Sequence, residues 1–132
     1  MKQDQNWLAE MESRRRDDEP SPEQEMAALM RRTDEVLKGL SPEDGAKLRE
    51  LSAGWRELVL AGYALSCGYA PHTADGVGEL LTAAPEGAAW RAENLRLTRA
   101  AEALASTVPE ALPLSDRWDD LCTLALVLGQ RR

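Results

Sequence analysis

The sequence is poor in the residues from which many enzyme and metal sites are built. Its 132 residues include one histidine, His72, two cysteines and no phenylalanine. A helix-borne metalloprotease site needs two histidines and a glutamate, and a structural zinc site needs four ligands at suitable spacing. Neither set is present, so we predict no metal centre and no cofactor, and we assign His72 to a loop or a helix cap. Because aromatic residues are scarce, leucine, alanine and four tryptophans must fill the core.

Other catalytic arrangements are missing from the sequence as well. The glycines lack the Lys-Ser/Thr pair and the preceding strand of a phosphate-binding loop. Ser52 and Ser66 lie inside predicted helices, without a histidine placed to act as a base. Asp119 and Asp120 are adjacent on a helix, so their side chains point apart, and we interpret them as part of a solvated face. The sequence therefore predicts no catalytic residues and a protein that is not an enzyme.

Basic residues are outnumbered by acidic ones. The chain has 16 Lys and Arg against 23 Asp and Glu, which gives a net charge of −7. Binding to a nucleic-acid backbone requires clustered Lys and Arg that displace counterions. The composition argues against a nucleic-acid partner and suits a basic protein partner, although solubility alone also accounts for it.

Signals for export and membrane insertion are missing. The stretch MKQDQNWLAEME has no apolar core of the kind that signal peptides carry. The longest apolar run, Leu121–Leu128, is interrupted by Thr123 and is far shorter than the roughly 20 residues of a membrane span. Cys67 and Cys122 each lie in an apolar helical stretch, which is typical of buried thiols in a reducing compartment. The sequence leaves open whether the two cysteines form a disulfide. We expect a cytoplasmic protein that does not bind membranes.

What the sequence does contain is the pattern of an all-α protein with about six helices. Apolar residues recur at helical spacing, and no segment shows the strict alternation of a strand. Ser21 and Ser41 are each followed by proline and an acidic residue, which marks two helix starts. Gly39 is expected to end its helix in the left-handed conformation. We predict a single helical domain over residues 21–132, with helices from Ser21 to Gly39, Ser41 to Gly68, Asp75 to Pro85, 86 to 108 and Ser115 to Gly129.

Residues 1–20 precede this domain as an arm. Trp7, Leu8 and Met11 share one side of a short helix, which is followed by three arginines and three acidic residues. A helix of this length is marginal when isolated in water, so the arm either docks on another surface or frays as a flexible segment. The charges of the three arginines and the three acidic residues nearly cancel, which favours a solvated connector over a recognition patch.

The helix that begins near Ser41 is the longest. Val59 and Tyr63 widen its apolar face, so we expect burial on more than one side. Gly54 and Gly62 inside it each cost up to ~1 kcal/mol relative to alanine, and a closely approaching neighbouring helix explains their presence. The main apolar residues follow a spacing of three and four that faces another helix: Leu48, Leu51, Trp55, Leu58, Gly62 and Leu65.

This helix continues through a short turn into a second one. Ala61 is a small residue on the first helix, Gly68 lies at the turn, Val77 is a large apolar residue on the second helix, and Pro85 follows it. In this spacing residues 54–90 resemble one tetratricopeptide repeat, a helix-turn-helix unit of protein-binding solenoids. Three positions depart from the repeat's pattern: Ala64, Thr73 and Leu80.

The resemblance implies a binding role. Within the tetratricopeptide family, the stretch Leu58–Gly62, the pair Cys67-Gly68 and Leu80-Leu81 before Pro85-Glu86 are similar to small type III secretion chaperones. Such chaperones hold secretion substrates or export components in a helical groove. The match covers one repeat, whereas a stable solenoid needs about three, and residues 86–108 supply no second copy because no turn glycine follows.

We therefore expect a non-enzymatic protein-binding module, a chaperone or adaptor, with a groove between the 42–67 and 86–108 helices. One alternative is a homodimeric bundle in which the long helix meets its own copy. Another is a small acidic inhibitor or accessory protein that caps a basic target. Aromatic residues are over-represented at interface anchors, although core packing is the default for tryptophans on apolar helix faces. The candidate partner-binding residues are Trp7, Trp55, Tyr63, Tyr69 and Trp90.

Overall fold

A computed structural model describes residues 2–68 and 76–131, and the side chains of residues 6–68, 77–82 and 84–131. The described residues form six α-helices and no strand, which confirms the all-α prediction. Tyr69, His72 and the predicted cap Asp75 lie outside the described residues. The helices are α1 (Lys2–Arg14), α2 (Pro22–Leu37), α3 (Pro42–Gly68), α4 (Gly76–Ala83), α5 (Pro85–Leu104) and α6 (Ala111–Gln130).

Both predicted serine caps are confirmed. The Ser21 hydroxyl accepts a hydrogen bond from the Gln24 amide at 3.4 Å, and the Ser41 hydroxyl accepts one from the Asp44 amide at 3.2 Å. The proline that follows each serine occupies the first helical position, where the missing N–H has no helical partner to lose. α3 also ends at Gly68, as the sequence predicts.

The end of α5 differs from the prediction. The sequence predicts that this helix reaches residue 108, whereas α5 ends at Leu104. The Ser106 and Thr107 hydroxyls donate to carbonyls three residues earlier, at 2.9 and 3.3 Å, so these side chains compete with the helical hydrogen bonds. The residue before Pro109 is also disfavoured in the helical conformation. These local effects end α5 one turn early.

The last helix is longer than predicted at both ends. α6 begins at Ala111 rather than Ser115, because Pro113 lies in its first turn, where a proline removes no helical hydrogen bond. At the other end Gly129 does not stop the helix, which continues to Gln130.

The glycines predicted as helix terminators act differently. No described glycine has a positive φ, so Gly39 is not left-handed. α2 ends instead with a tightened turn, in which the Gly39 amide donates to the Val36 carbonyl at 3.1 Å. Gly129 is buried where α6 crosses α3: a Cβ there would lie 2.6 Å from the Cβ of Ser66 and 2.9 Å from the Tyr63 carbonyl oxygen. Its role is close helix packing.

α3 and α6 are the central pair of the bundle. α5 packs against both, and α4 packs against α5 and α6. α1 and α2 pack against the central pair and against each other. The predicted inward residues of the last two helices form the core with those of α3, among them Leu97, Ala101, Trp118, Leu121 and Ala125.

The N-terminal arm docks on this bundle. α1 contacts α2, α3 and α6, Met11 is fully buried, and Trp7 is 7% exposed. Burying a methionine side chain contributes about 2 kcal/mol relative to its exposure, which supports a helix too short to be stable in isolation.

The two cysteines are free thiols. Cys122 is buried, and this burial raises its pKa, so the thiol stays neutral. Cys67 is half-buried at the end of α3. Among the helices that the structure describes, none combines the length and the apolarity needed to cross a membrane.

Candidate protein-binding groove

A groove runs along the surface between α3 and α5, and we call it the α3–α5 groove. It has two sections, of about 550 Å³ and about 650 Å³. Glu50 and Arg96 line both sections, so the two sections adjoin and together extend from the start of α3 to Leu65 near its end. With a rise of 1.5 Å per residue, the stretch from Pro42 to Leu65 is roughly 35 Å long. It lies between the two helices for which the sequence predicts a groove.

The groove is shallow because two glycines of α3 let α5 approach closely. A Cβ at Gly54 would lie 2.8 Å from Leu97, and a Cβ at Gly62 would lie 2.9 Å from the indole nitrogen of Trp90. The sequence-based explanation of these glycines, close approach of a neighbouring helix, is confirmed. Buried apolar side chains form the floor, and small residues leave room above it: Ala53, Ala61, Ala89, Ala100 and Ala103.

Trp90 joins the two helices at the floor. Its indole N–H donates to the Leu58 carbonyl at 2.9 Å, and its side chain is 8% exposed. The indole reaches this carbonyl over Gly62, since any larger residue there would occupy the same space. Trp90 therefore both lines the groove and holds its two helices together.

The two glycines predict unequal losses of stability for the same substitution. We expect Gly62→Ala to lower the free energy of unfolding by about 2 kcal/mol, because the methyl group meets a rigid indole ring and displaces its hydrogen bond. Gly54→Ala should cost less, about 1 kcal/mol, since its methyl group meets the end of the Leu97 side chain, breaks no hydrogen bond and gains up to ~1 kcal/mol in helix propensity. Urea unfolding of both variants measures the difference. Equal losses would contradict the assignment of Gly62 as the indole contact.

The rims of the groove are acidic. Four carboxylates border its larger section with one cation, Arg96: Glu50, Glu57, Glu86 and Glu93. The smaller section adds Glu43 and Asp44, with Lys47 as its further cation.

Both cations already have partners on their own helices. Lys47 forms an ion pair with Glu43 at 3.7 Å, and Arg96 pairs with Glu93. Hydrogen bonds from Arg96 hold the pKa of Glu93 below its usual range, so this carboxylate stays ionised well below neutral pH. Within the described part of the chain, Glu57 and Glu86 form no ion pair, so the groove carries a net negative charge.

The structure places the predicted contact residues in different environments. Trp90 lines the groove. Trp55 is 3% exposed in the core and stacks on Trp118, with ring centroids 6.1 Å apart and ring planes 15° apart. Trp7 is buried on the face of α1 that packs on the bundle, and it lines a smaller pocket together with Leu60 of α3.

Tyr63 lies at the far end of the bundle from the start of α3. It is 2% exposed, burial raises the pKa of its hydroxyl, and the guanidinium of Arg14 lies 5.5 Å from its ring centre. Arg14 also donates to the Cys67 sulfur at 3.1 Å and to the Gly129 carbonyl at 3.3 Å. These contacts tie α1 to the ends of α3 and α6, so the described surroundings of Tyr63 are those of a packed core residue.

Sequence reasoning did not select the charged and small residues of the groove. The signal that could have found them is the seven-residue spacing of two acidic pairs, Glu50 with Glu57 and Glu86 with Glu93, on helices already predicted to approach each other. In the part of the chain that the structure describes, no cluster of His, Cys, Asp and Glu is arranged to hold a metal ion.

Comparisons of the chain with family models, with curated proteins and with solved structures each find no match. The groove itself is therefore the basis for any functional assignment.

Proposed function

We propose that the chain is a non-enzymatic protein-binding module, an adaptor or chaperone, that holds a segment of a partner protein in the α3–α5 groove. The observation that carries this proposal is a pair of adjoining surface sections that together extend over roughly 35 Å, with a buried apolar floor, small side chains along the walls and charged rims. This length suits a partner segment of several helical turns.

A small-molecule site fits this surface less well. Each section has the volume of a ligand pocket, but such pockets place a few polar groups around an enclosed ligand. Here the charged side chains lie along open rims: Arg96 and Lys47 are 62% and 58% exposed. Protein interfaces combine an apolar centre with a polar, solvated rim, which is the arrangement seen here.

The burial of α3 favours this proposal over the homodimer alternative. Leu48, Leu51, Trp55 and Leu58, the apolar residues expected to meet a second copy, are buried within their own chain. The acidic accessory-protein alternative shares the groove's chemistry, because a negative rim suits a basic target. The resemblance of residues 54–90 to a secretion chaperone suggests one class of adaptor, and the proposal does not depend on it.

Site-specific photo-cross-linking tests the proposal. We expect a cross-linking amino acid at Ala61 or Ala89, both exposed in the groove, to give a discrete adduct in cells of the native host. The same group at Ala27, which is exposed on α2 outside the groove, should give little of that adduct. Filling the groove across from the probe, with Ala89→Trp or Ala61→Trp respectively, should abolish it.

Two results would overturn the proposal. One is equal cross-linking from Ala27 and from the groove positions, and the other is an adduct that persists when the groove is filled. Circular dichroism of each variant checks that the helical fold is retained.

A further inference from the structure

Resting on the proposed function, we infer that the partner segment is an amphipathic α-helix. It carries Lys or Arg at positions i, i+7 and i+14 beside a face of alanine and leucine. The inference follows from where the rim carboxylates lie along the groove.

The acidic residues repeat every two helical turns on each rim. Glu50 and Glu57 are seven residues apart on α3, and Glu86 and Glu93 are seven residues apart on α5. Seven residues span about 10 Å of helix and return to nearly the same face. Each pair therefore points along one side of the same groove.

The register between the helices aligns these two pairs. Leu97 lies against Gly54 and Trp90 lies against Gly62, so α3 and α5 run antiparallel. In this register Glu57 and Glu93 fall at about the same level, Glu50 lies two turns to one side, and Glu86 lies two turns to the other. The rims thus present carboxylates at three levels spaced by about 10 Å.

This spacing matches a helix and not an extended strand. Lysines or arginines two turns apart lie on one face of a helix at about 10 Å intervals. A strand covers that distance in about three residues, and residues three apart point to opposite faces. A helical partner that crosses the groove from the α3 rim at Glu50 to the α5 rim at Glu86 can therefore present one cation at each level, beside an apolar face that contacts the floor.

The carboxylates are available to a partner. Among the described residues Glu57 and Glu86 form no ion pair. The charge of Glu50 helps to raise the pKa of the Arg96 guanidinium, though less than Glu93 does, and Arg96 forms its ion pair with Glu93. The pair of Glu93 with Arg96 is exposed on both sides, and such pairs contribute little and exchange partners easily. Cations of a partner are attracted without first breaking a buried interaction.

A second copy of this chain fits less well. The chain has a net charge of −7, and its own cations at this spacing lie among acidic residues: Asp34 and Glu35 lie between Arg31 and Lys38 at the end of α2, and Arg49 and Arg56 each precede a glutamate on α3. Bringing that helix into the groove would place Glu50 and Glu57 beside the carboxylates of the rim. The chemistry of the groove therefore favours a different, basic chain.

Fluorescence anisotropy with a designed peptide tests the inference. The probe is a fluorescein-labelled, stapled helix of about 18 residues with an alanine- and leucine-rich face and lysines at i, i+7 and i+14. We expect it to bind the intact chain, and we expect Glu57→Lys with Glu86→Lys to weaken binding roughly tenfold or more through like-charge repulsion. Raising the salt from 0.05 to 0.5 M should also weaken it, because rim charges are exposed.

Two matched controls test whether binding depends on the position of the carboxylates in the chain and on the arrangement of the lysines in the peptide. Glu102→Lys with Asp120→Lys changes the net charge equally at exposed sites outside the groove, and should leave the affinity within about twofold. A peptide of the same composition with its lysines spread around the helix should bind several-fold more weakly. Equal loss in the control variant, or equal binding of the scrambled peptide, would overturn the inference, as would a dimer of the chain, seen by analytical ultracentrifugation, that excludes the probe.

The two proposals fail in distinguishable ways. If the designed helix does not bind while cross-links from Ala61 and Ala89 persist, the groove binds a protein segment of another kind, and only the helical inference falls. If the cross-links are absent as well, the proposed function falls with it.

Discussion

Gly87→Ala lowers the free energy of unfolding by about 3 kcal/mol and the melting temperature by roughly 10 °C. Gly87 lies in the first turn of α5, where α4 packs against it. A Cβ at this position would lie 1.7 Å from the Leu80 carbonyl oxygen and 2.6 Å from its carbonyl carbon. Backbone atoms cannot move aside by changing rotamer, and Leu80 is 1% exposed, so α4 must shift as a unit.

Gly78→Ala is the matched control for this prediction. Gly78 lies in α4 itself, and a Cβ there meets no atom within 4 Å. The substitution should raise stability by up to ~1 kcal/mol, because alanine favours the helix. Thermal and urea unfolding followed by circular dichroism measure both variants. A Gly87→Ala protein as stable as Gly78→Ala would mean that α4 does not pack on α5 at this glycine.

The helices themselves are predictable because their signals are local. A serine that caps the next turn, a proline at the first helical position and an apolar residue every three or four positions act within a few residues of each other. These signals place the starts of α2 and α3 and the end of α3 near Gly68.

Tertiary contacts account for what the local signals miss. Gly39 and Gly129 both follow an apolar helical stretch, and the sequence treats them alike. Gly129 remains helical because it lets α6 contact α3 at Ser66, which no local pattern reveals. Pro113 is also misleading as a local signal. A proline typically breaks a helix, but α6 begins two residues before Pro113, so the proline lies in the first turn.

The candidate site is predictable in position and less so in composition. Gly54 and Gly62 indicate that a helix approaches α3, and that approach creates the groove. Aromatic preference selects Trp55 and Tyr63 as contacts, but their exposure depends on which neighbours cover them. α6 covers Trp55 with Trp118, and α1 covers Tyr63 with Arg14.

The acidic rims are also only partly predictable from the sequence. Each pair of glutamates is visible in the sequence as a seven-residue repeat, but their alignment across the groove depends on the antiparallel register of α3 and α5. That register is set by two side chains of α5 fitting against two glycines of α3, eight residues apart on α3 and seven on α5. Packing between distant segments thus turns two ordinary helix faces into one charged groove.

Trp118→Ala should have the largest effect on stability, a loss of about 5 kcal/mol. Trp118 is fully buried in α6, and its ring stacks on Trp55 of α3, at the contact between the two central helices. The substitution leaves a cavity and removes an aromatic pair that contributes about 1 kcal/mol beyond burial. Because a domain of this size is stable by about 5 to 15 kcal/mol, a large unfolded fraction is expected even at low urea concentration.

Two further variants make this result decisive for the role of Trp55. Trp118→Phe keeps a ring against Trp55 and loses no protein hydrogen bond, because the indole nitrogen of Trp118 has no partner among the described residues; a loss of about 1.5 kcal/mol is expected. Leu112→Ala, at a leucine that is 44% exposed on the same helix, should change stability by less than about 0.5 kcal/mol. If Trp118→Ala cost no more than Leu112→Ala, α6 would not cover Trp55, and Trp55 would then be open to contact with a partner.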